Sequence, residues 1–405
     1  MQKIAVIGGG AAGLSFSVMA KRLLPDVEIT IFEKADRVGK KLSTTGNGRC
    51  NITNEHLSKE RYHGDSDFAI NAINKFGVSE SKEFFESIGV IFATLEDGKI
   101  YPLSLQAASV TDALRFALDE AGVMLCLNTA VTDVKKADNG FIVFTDNGRY
   151  NFDAVVIATG GKAGGKLGSD DGYRFLKQFG HKIIDLSPAI VQLKTETDVV
   201  RQLKGIKVEG AVTLSSSLGV RKEFGEILFC DYGISGPPVL QVSRLAAGEN
   251  ALVSLDLLPQ MTEDEIYSEL LRRTKLFNNR PATELFAGFM NKRLGQVLLK
   301  ISGGNINSTI GEIDDKILKK TAQNIKNFTL KATGTGGFQN AQVTAGGAKP
   351  EQFFDNMMSK KVKGLFAIGE VLDVDGDCGG FNLAFAWASA NAAANTVVDY
   401  LKEIK

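Results

Sequence analysis

Apolar positions run unbroken through Ile4-Ala5-Val6-Ile7, give way to the glycines Gly8-Gly9-Gly10, and resume as small residues at Ala11-Ala12-Gly13. A short apolar run closed by turn residues predicts a buried strand, and the small residues after it predict the start of a helix. A second strand ends at Ile31-Phe32-Glu33. Spaced apolar positions then predict helices over 71–89 and 111–122, the latter started by Thr111 and stopped at Gly122. Strand patterns follow at 123–127 and 130–134. A hairpin pairs 141–144 with 149–152 around Asp146-Asn147-Gly148, and a buried strand runs over 153–161.

At Ser187-Pro188 the texture changes. Short strand candidates at 190–195, 207–214, 226–229 and 251–257, separated by Gly and Ser, predict a small antiparallel barrel or sandwich. Thr262 with Glu265 forms a capping box for a helix carrying Ile266, Leu270 and Leu271, and helical segments continue to about residue 327. The α/β texture returns with a short buried strand over 364–370 and a long Ala-rich helix from Leu383 to Leu401. The expected fold is α/β: a Rossmann-like domain of residues 1–187 and 334–405. It is interrupted by an inserted domain at 188–333, barrel-like over 188–260 and mainly helical over 261–327.

Composition narrows the function classes. The chain has 47 basic and 47 acidic side chains and no long run of one sign, so no nucleic-acid partner is expected. No stretch approaches a membrane span, and no targeting segment precedes the first strand, which points to the cytoplasm. Four scattered cysteines form no CxxC pair and three histidines give no metal-ligand spacing, so redox work falls to a bound cofactor.

The chemistry sits in the opening motif. Gly8, Gly10 and Gly13 have the GxGxxG spacing, and Glu33 follows twenty residues later at a strand end. In such a unit the first glycine makes the turn, the second admits the pyrophosphate, and the third lets helix and strand pack closely. The helix start offers N–H groups and partial positive charge to the phosphates, and Glu33 can accept from a ribose diol. Thr159-Gly160-Gly161 and Gly369-Glu370 end two more predicted parallel strands, where a doubly wound sheet opens its ligand crevice. No second GxGxxG with its own strand and acid is present, so one extended cofactor touched by both ends of the chain accounts for all three sites.

The chain resembles the bacterial flavoprotein family of aminoacetone oxidases and 3-dehydro-bile-acid Δ4,6-reductases, within the two-dinucleotide-binding-domain FAD superfamily. The resemblance rests on Gly8–Gly13, on Lys40-Lys41-Leu42 running into Thr45-Gly46-Asn47-Gly48-Arg49-Cys50-Asn51-Ile52-Thr53-Asn54, and on Ala158-Thr159-Gly160-Gly161. Gly369-Glu370-Val371-Leu372-Asp373, Gly379-Gly380-Phe381-Asn382-Leu383 and Ala386-Trp387-Ala388-Ser389 complete it. It implies FAD held by Gly8, Gly10, Ala11, Ala12 and Gly13, with Glu33 and Lys34 at the adenosine ribose and the Val131 backbone beside the adenine. The loop carrying Lys41, Leu42, Thr45, Gly46, Asn47, Arg49, Cys50 and Asn51 would follow the cofactor toward the flavin ring. Ala158, Thr159, Gly160, Gly161, Gly369, Glu370 and Asp373 would border the pyrophosphate and ribityl chain. Gly380, Phe381, Asn382 and Leu383 would set the N-terminus of the last helix at the isoalloxazine, where its dipole favours the negative charge of the reduced ring.

The family more often has Tyr where this chain has Phe381, which reads equally as a core aromatic. Cys50 and Cys378 read as packing cysteines before a redox pair, His63 as a solvated loop residue before a substrate contact, and Arg49 as an organiser of its own loop and the cofactor before a substrate contact. The resemblance implies hydride transfer between a small organic substrate and flavin N5, either as an amine-type oxidase or as a reductase using NAD(P)H as a transient donor. A redox sensor or interaction protein without its own small-molecule turnover is the alternative. No residue stands out as catalytic acid or base, and oligomeric state is not legible.

Overall fold

The computed structural model describes residues 2–404 and divides them into two compact units, one running to Ser187 and resuming at Gln342, the other spanning Pro188–Ala341. In the first unit five strands form a parallel sheet in the order Leu365–Ala367, Ala154–Ile157, Lys3–Ile7, Glu28–Phe32 and Met124–Cys126. Val6 lies opposite Val156 on one side and Ile31 on the other. Ile4, Ala5 and Val6 are fully buried, which is why this strand reads as a continuous apolar run rather than an alternating one.

Helices Ala11–Leu23 and Phe381–Glu403 pack together against the sheet. Alanines at 384, 386, 388, 390, 393 and 394 are all buried, so the last helix brings its backbone close to its neighbours. Its large side chains anchor it: Trp387 is fully buried, takes the edge of Phe85 at 5.0 Å, and donates from Nε1 to the Ile52 carbonyl at 2.9 Å. A three-stranded antiparallel sheet, Val131–Lys136, Phe141–Thr145 and Gly148–Phe152, is joined in this unit by smaller sheets, among them Tyr62–Gly64 with Val374–Gly376.

Several predicted elements shift. The single helix expected over 71–89 is two, Ser66–Ile73 and Val78–Glu86, broken where Gly77 starts the second and its N–H donates to Glu80. Thr111 does not start its helix, which begins at Ala107. The Thr111 hydroxyl instead donates back to the Ala107 carbonyl inside the helix. The polar segment after Lys40 begins helically and then kinks, with Thr45 extended and Gly46 and Asn47 left-handed.

The second unit holds a closed barrel in the order Leu193–Thr195, Gly233–Ser235, Gly219–Phe229, Lys207–Ser216, Leu252–Asp256 and Phe328–Thr335. Two of these strands, Gly233–Ser235 and Phe328–Thr335, have no counterpart among the expected ones. The last closes the barrel by pairing with both Leu252–Asp256 and Leu193–Thr195. The second junction therefore falls after Ala341 rather than at 333, and Gly336 still donates to Gln192 beyond the strand end. Helices Glu263–Leu276, Lys292–Ile301 and Asp315–Lys326 cover the unit's core, and the Thr262–Glu265 capping box forms.

Candidate functional site

Four of the parallel strands deliver chemistry at their carboxyl ends: Gly8 after the first, Glu33 after the second, Ala158 to Gly161 after the third, Gly369 and Glu370 after the last. The opening glycines do three different jobs. Gly8 has φ +111°, and a Cβ there would meet the Ala158 carbonyl oxygen at 2.4 Å. A Cβ on Gly13 would meet the Gly8 carbonyl oxygen at 2.1 Å, so helix and turn touch backbone to backbone. Gly10 is the exception, since a Cβ there would meet nothing within 4 Å. Gly10 is also the N-cap of the opening helix, which has no side-chain cap and no acid in its first turn. Ala11 and Ala12 begin that helix, with Ala12 buried.

The Glu33 carboxylate is pinned by backbone: Oε2 accepts from Gly9 N–H at 2.9 Å and Oε1 from Ala35 N–H at 2.8 Å. Each oxygen keeps a lone pair for another donor. The segment entering Val131 is tied to the same place, because Thr129 donates to the Glu33 carbonyl and Asn128 to that of Ala35. Lys34 points away from this group and pairs with Asp171 at 3.5 Å.

A second group forms around Glu370. Lys41 Nζ lies 2.6 Å from Glu370 Oε2, and Thr344 N–H donates to Oε1 at 2.9 Å. A Cβ on Gly161 would meet Glu370 Oε1 at 2.6 Å, and one on Gly160 would come within 3.9 Å of Oε2. Thr159 is half-buried beside them. Ser389 of the last helix accepts from Gly369 N–H at 3.0 Å and fixes that turn.

The third group lies at the start of the last helix. Gly380 has φ +100°, and a Cβ there would meet the Thr53 carbonyl oxygen at 2.6 Å and Asn51 Oδ1 at 3.0 Å. Asn51 Oδ1 is buried with no hydrogen-bond partner among the described residues. The Asn382 amide is fully engaged with the strand before it, accepting from Gly376 N–H at 2.8 Å and donating to the Gly376 and Asp377 carbonyls. Phe381 settles the open reading of its side chain: 3 % exposed, it meets Tyr62 edge-on at 6.1 Å and belongs to the core. Leu42 and Cys50 are core residues too, while Leu383 is half-buried and Gly46, Asn47 and Arg49 are exposed. Burial pushes the Cys50 thiol up to about 12 against a weaker opposing hydrogen bond from Thr45, so it stays a thiol at neutral pH.

Beside this group stands a cluster that the sequence reading missed. His63 is not a solvated loop residue: it sits on strand Tyr62–Gly64, antiparallel to Val374–Gly376, with its Nε2 2.9 Å from Asp377 Oδ1. Arg61 reaches the other oxygen of Asp377 at 3.4 Å, and Asp373 O accepts from Asp65 N–H at 3.0 Å. Asp375 and Asp377 are 2 % and 3 % exposed. The available signal was the alternation Asp373-Val374-Asp375-Gly376-Asp377 directly before the glycine pair, a polar period of two inside an otherwise apolar strand context.

The HI0933-like protein Rossmann-domain family matches residues 2–396. The chain belongs to this family. Within reach of the HI0933-like family by sequence, it is 35% identical to a 3-dehydro-bile acid delta(4,6)-reductase of Clostridium scindens, over 98% of this chain and 100% of that one. It is 28% identical to a ribosomal RNA dihydrouridine synthase of Haemophilus influenzae, over 97% of each. Among solved structures, a 3-ketosteroid delta1-dehydrogenase from Sterolibacterium denitrificans superposes with a TM-score of 0.51 at 12% identity, covering 98% of this chain and 100% of that one. A flavocytochrome c3 fumarate reductase gives 0.50 at 16% identity, over 98% and 78%. These two likenesses are of fold. This HI0933-like chain is a Rossmann-type flavin-dependent oxidoreductase. Among the described residues no helix is long and apolar enough to cross a membrane.

Proposed function

We propose that this chain is an FAD-dependent reductase that uses NAD(P)H to saturate a carbon–carbon double bond conjugated to a carbonyl in a small organic molecule. The observation that carries this reading is the 35% identity, end to end, with the Clostridium scindens reductase. The names of the reductase and dihydrouridine synthase relatives share one chemistry, since a 3-keto compound with a delta-4 bond and the uracil ring of uridine both present a double bond next to a carbonyl. An amine-type oxidase has no such support.

The residues present fit FAD. Glu33 would hold the adenosine ribose, each oxygen adding one acceptor bond to the backbone bond it already makes. The uncapped helix start at Gly10, with open space where a side chain would stand, would take the pyrophosphate. Gly160, Gly161, Asp373 and the Lys41–Glu370 pair would border the ribityl chain, and the Gly380 turn with the unpartnered Asn51 oxygen would meet the isoalloxazine. Bound FAD supplies the electron transfer; the chain orients it and keeps its surroundings fixed.

The 28% identity to a ribosomal RNA dihydrouridine synthase favours a second reading, the same chemistry on a uridine in RNA. The balance of 47 basic against 47 acidic side chains weighs for the small molecule. Anaerobic titration decides. NADH or NADPH should bleach the flavin spectrum of the purified protein, and androst-4-ene-3,17-dione should restore it. Restoration only by ribosomal RNA moves the assignment to the second reading, and bleaching only by amines returns it to an oxidase.

A further inference from the structure

We infer that His63, oriented by Asp377, donates the proton that completes double-bond reduction. This rests on the reductase reading above. Asp377 is buried, its side chain 2 % exposed, whereas the His63 side chain keeps 26 % of its surface. A buried carboxylate that grips one nitrogen of a reachable imidazole fixes the orientation of the ring. A proton leaving the ring from Nδ1 would leave the 2.9 Å contact between Nε2 and Asp377 in place.

The pair is built into the frame that aims the last helix. His63 lies opposite Asp375 in the strand ladder, and Asp377 N–H donates to the Arg61 carbonyl at 2.9 Å. The Tyr62 hydroxyl donates to the Phe381 carbonyl at 3.2 Å, while Asn382 clamps Gly376 and Asp377 from the other side. His63 is thereby tied to the segment that leads into the last helix by the hydrogen bonds of its strand rather than carried on a loose loop.

The chemistry requires such a group. Hydride added at the carbon β to the carbonyl forms one C–H bond and breaks the π bond, whose electrons move onto the carbonyl oxygen; bound FAD in its reduced form would supply that hydride. The resulting enolate needs one proton at its α carbon. The His63 imidazolium gives it up, and water later returns a proton to the ring. The substrate gains two hydrogens, one as the hydride and one as the proton from His63, and NAD(P)H would be the source of the two electrons. Asp377 is the positioning residue and touches no reacting atom.

Stopped-flow half-reactions of the FAD-loaded protein test the assignment. In His63→Gln, flavin uptake and bleaching by NADPH should stay within about twofold of wild type, while reoxidation by androst-4-ene-3,17-dione should slow by about 100-fold or more. Added imidazole should partly restore His63→Ala. A second readout needs no flavin. With only three histidines in the chain, imidazole nitrogen signals can be assigned by substitution, and Asp377→Asn should move the His63 signal while sparing His56 and His181. Reoxidation of His63→Gln at the wild-type rate, or a slow His63→Ala that imidazole does not rescue, overturns the donor role. A His63 signal indifferent to Asp377→Asn overturns the positioning role. A wild-type protein that NADPH cannot bleach, or that the enone cannot reoxidise, removes the reductase reading and this inference together.

Discussion

The two units of this chain are stabilised by different means. The barrel unit buries aliphatic and aromatic side chains, and its buried polar groups are Thr195, Ser243, Arg273, Ser302 and Thr321, with no carboxylate among the described residues. The sheet unit buries Asp375 and Asp377 and the amides of Asn51 and Asn54, whereas backbone contacts possible only for glycine occur in both units, as at Gly13 and Gly236. Buried carboxylates and an unpartnered amide oxygen such as that of Asn51 cost stability. They are placed where strands end and the last helix begins, while the barrel unit's buried Arg273 is paired with Glu269. Function in this molecule is therefore concentrated where packing alone would choose other residues.

The sharpest way to break this contrast is Gly13→Ala. Its Cβ would stand 2.1 Å from the Gly8 carbonyl oxygen, and neither backbone can yield. A loss of about 5 kcal/mol or more is expected, read as failure to recover flavin-loaded protein. Phe286→Ala probes the other unit, where the fully buried ring lies against Gly295. It should cost about 3–5 kcal/mol in the barrel's thermal transition but leave flavin stoichiometry unchanged. Flavin loss in that variant would dissolve the distinction.

A third test uses pH. His181 is 3 % exposed, stacked on Phe353, and held well below the ordinary histidine range, at about 4, chiefly by burial and also by the nearby Lys361 charge. Its folded form resists protonation, so its stabilisation is complete above about pH 6.5 and drains away as pH falls toward 4. About 3 kcal/mol should be lost from the sheet unit over that window, and His181→Gln should flatten the slope. The smallest effect is Glu33→Ala, which should weaken FAD retention by about 1.5–3 kcal/mol in a dialysis or fluorescence titration. Unchanged retention would remove Glu33 from the cofactor's contacts.

How much was readable depended on whether a residue's task is local. Gly8, Gly13 and Glu33 act within one strand–helix–strand unit, so their spacing alone exposed them. The capping box at Thr262 and Glu265 is equally local, and it forms as read. His63 was misjudged because its partner, Asp377, lies 314 residues away, and no local pattern joins them. Phe328–Thr335 was missed as a strand for the same reason: its partners are Leu252–Asp256 and Leu193–Thr195, and its own sequence borders a helix. Phe381 was ambiguous since the first residue of a helix can face ligand or core, and only the Tyr62 ring opposite decides it.

The last helix reaches back to three turns at once, through Trp387 to Ile52, Ser389 to Gly369 and Asn382 to Gly376. On a ribosome those contacts come last. The loop at Ile52 is made early and must then wait through the synthesis of the whole barrel unit, roughly ten to thirty seconds at ordinary elongation rates. During that interval the barrel can close on its own strands, while the nascent sheet lacks the strand Leu365–Ala367 and the helix that covers it. Premature termination between residues 341 and 381 would therefore leave a chain whose barrel segment is complete and whose sheet unit has never assembled.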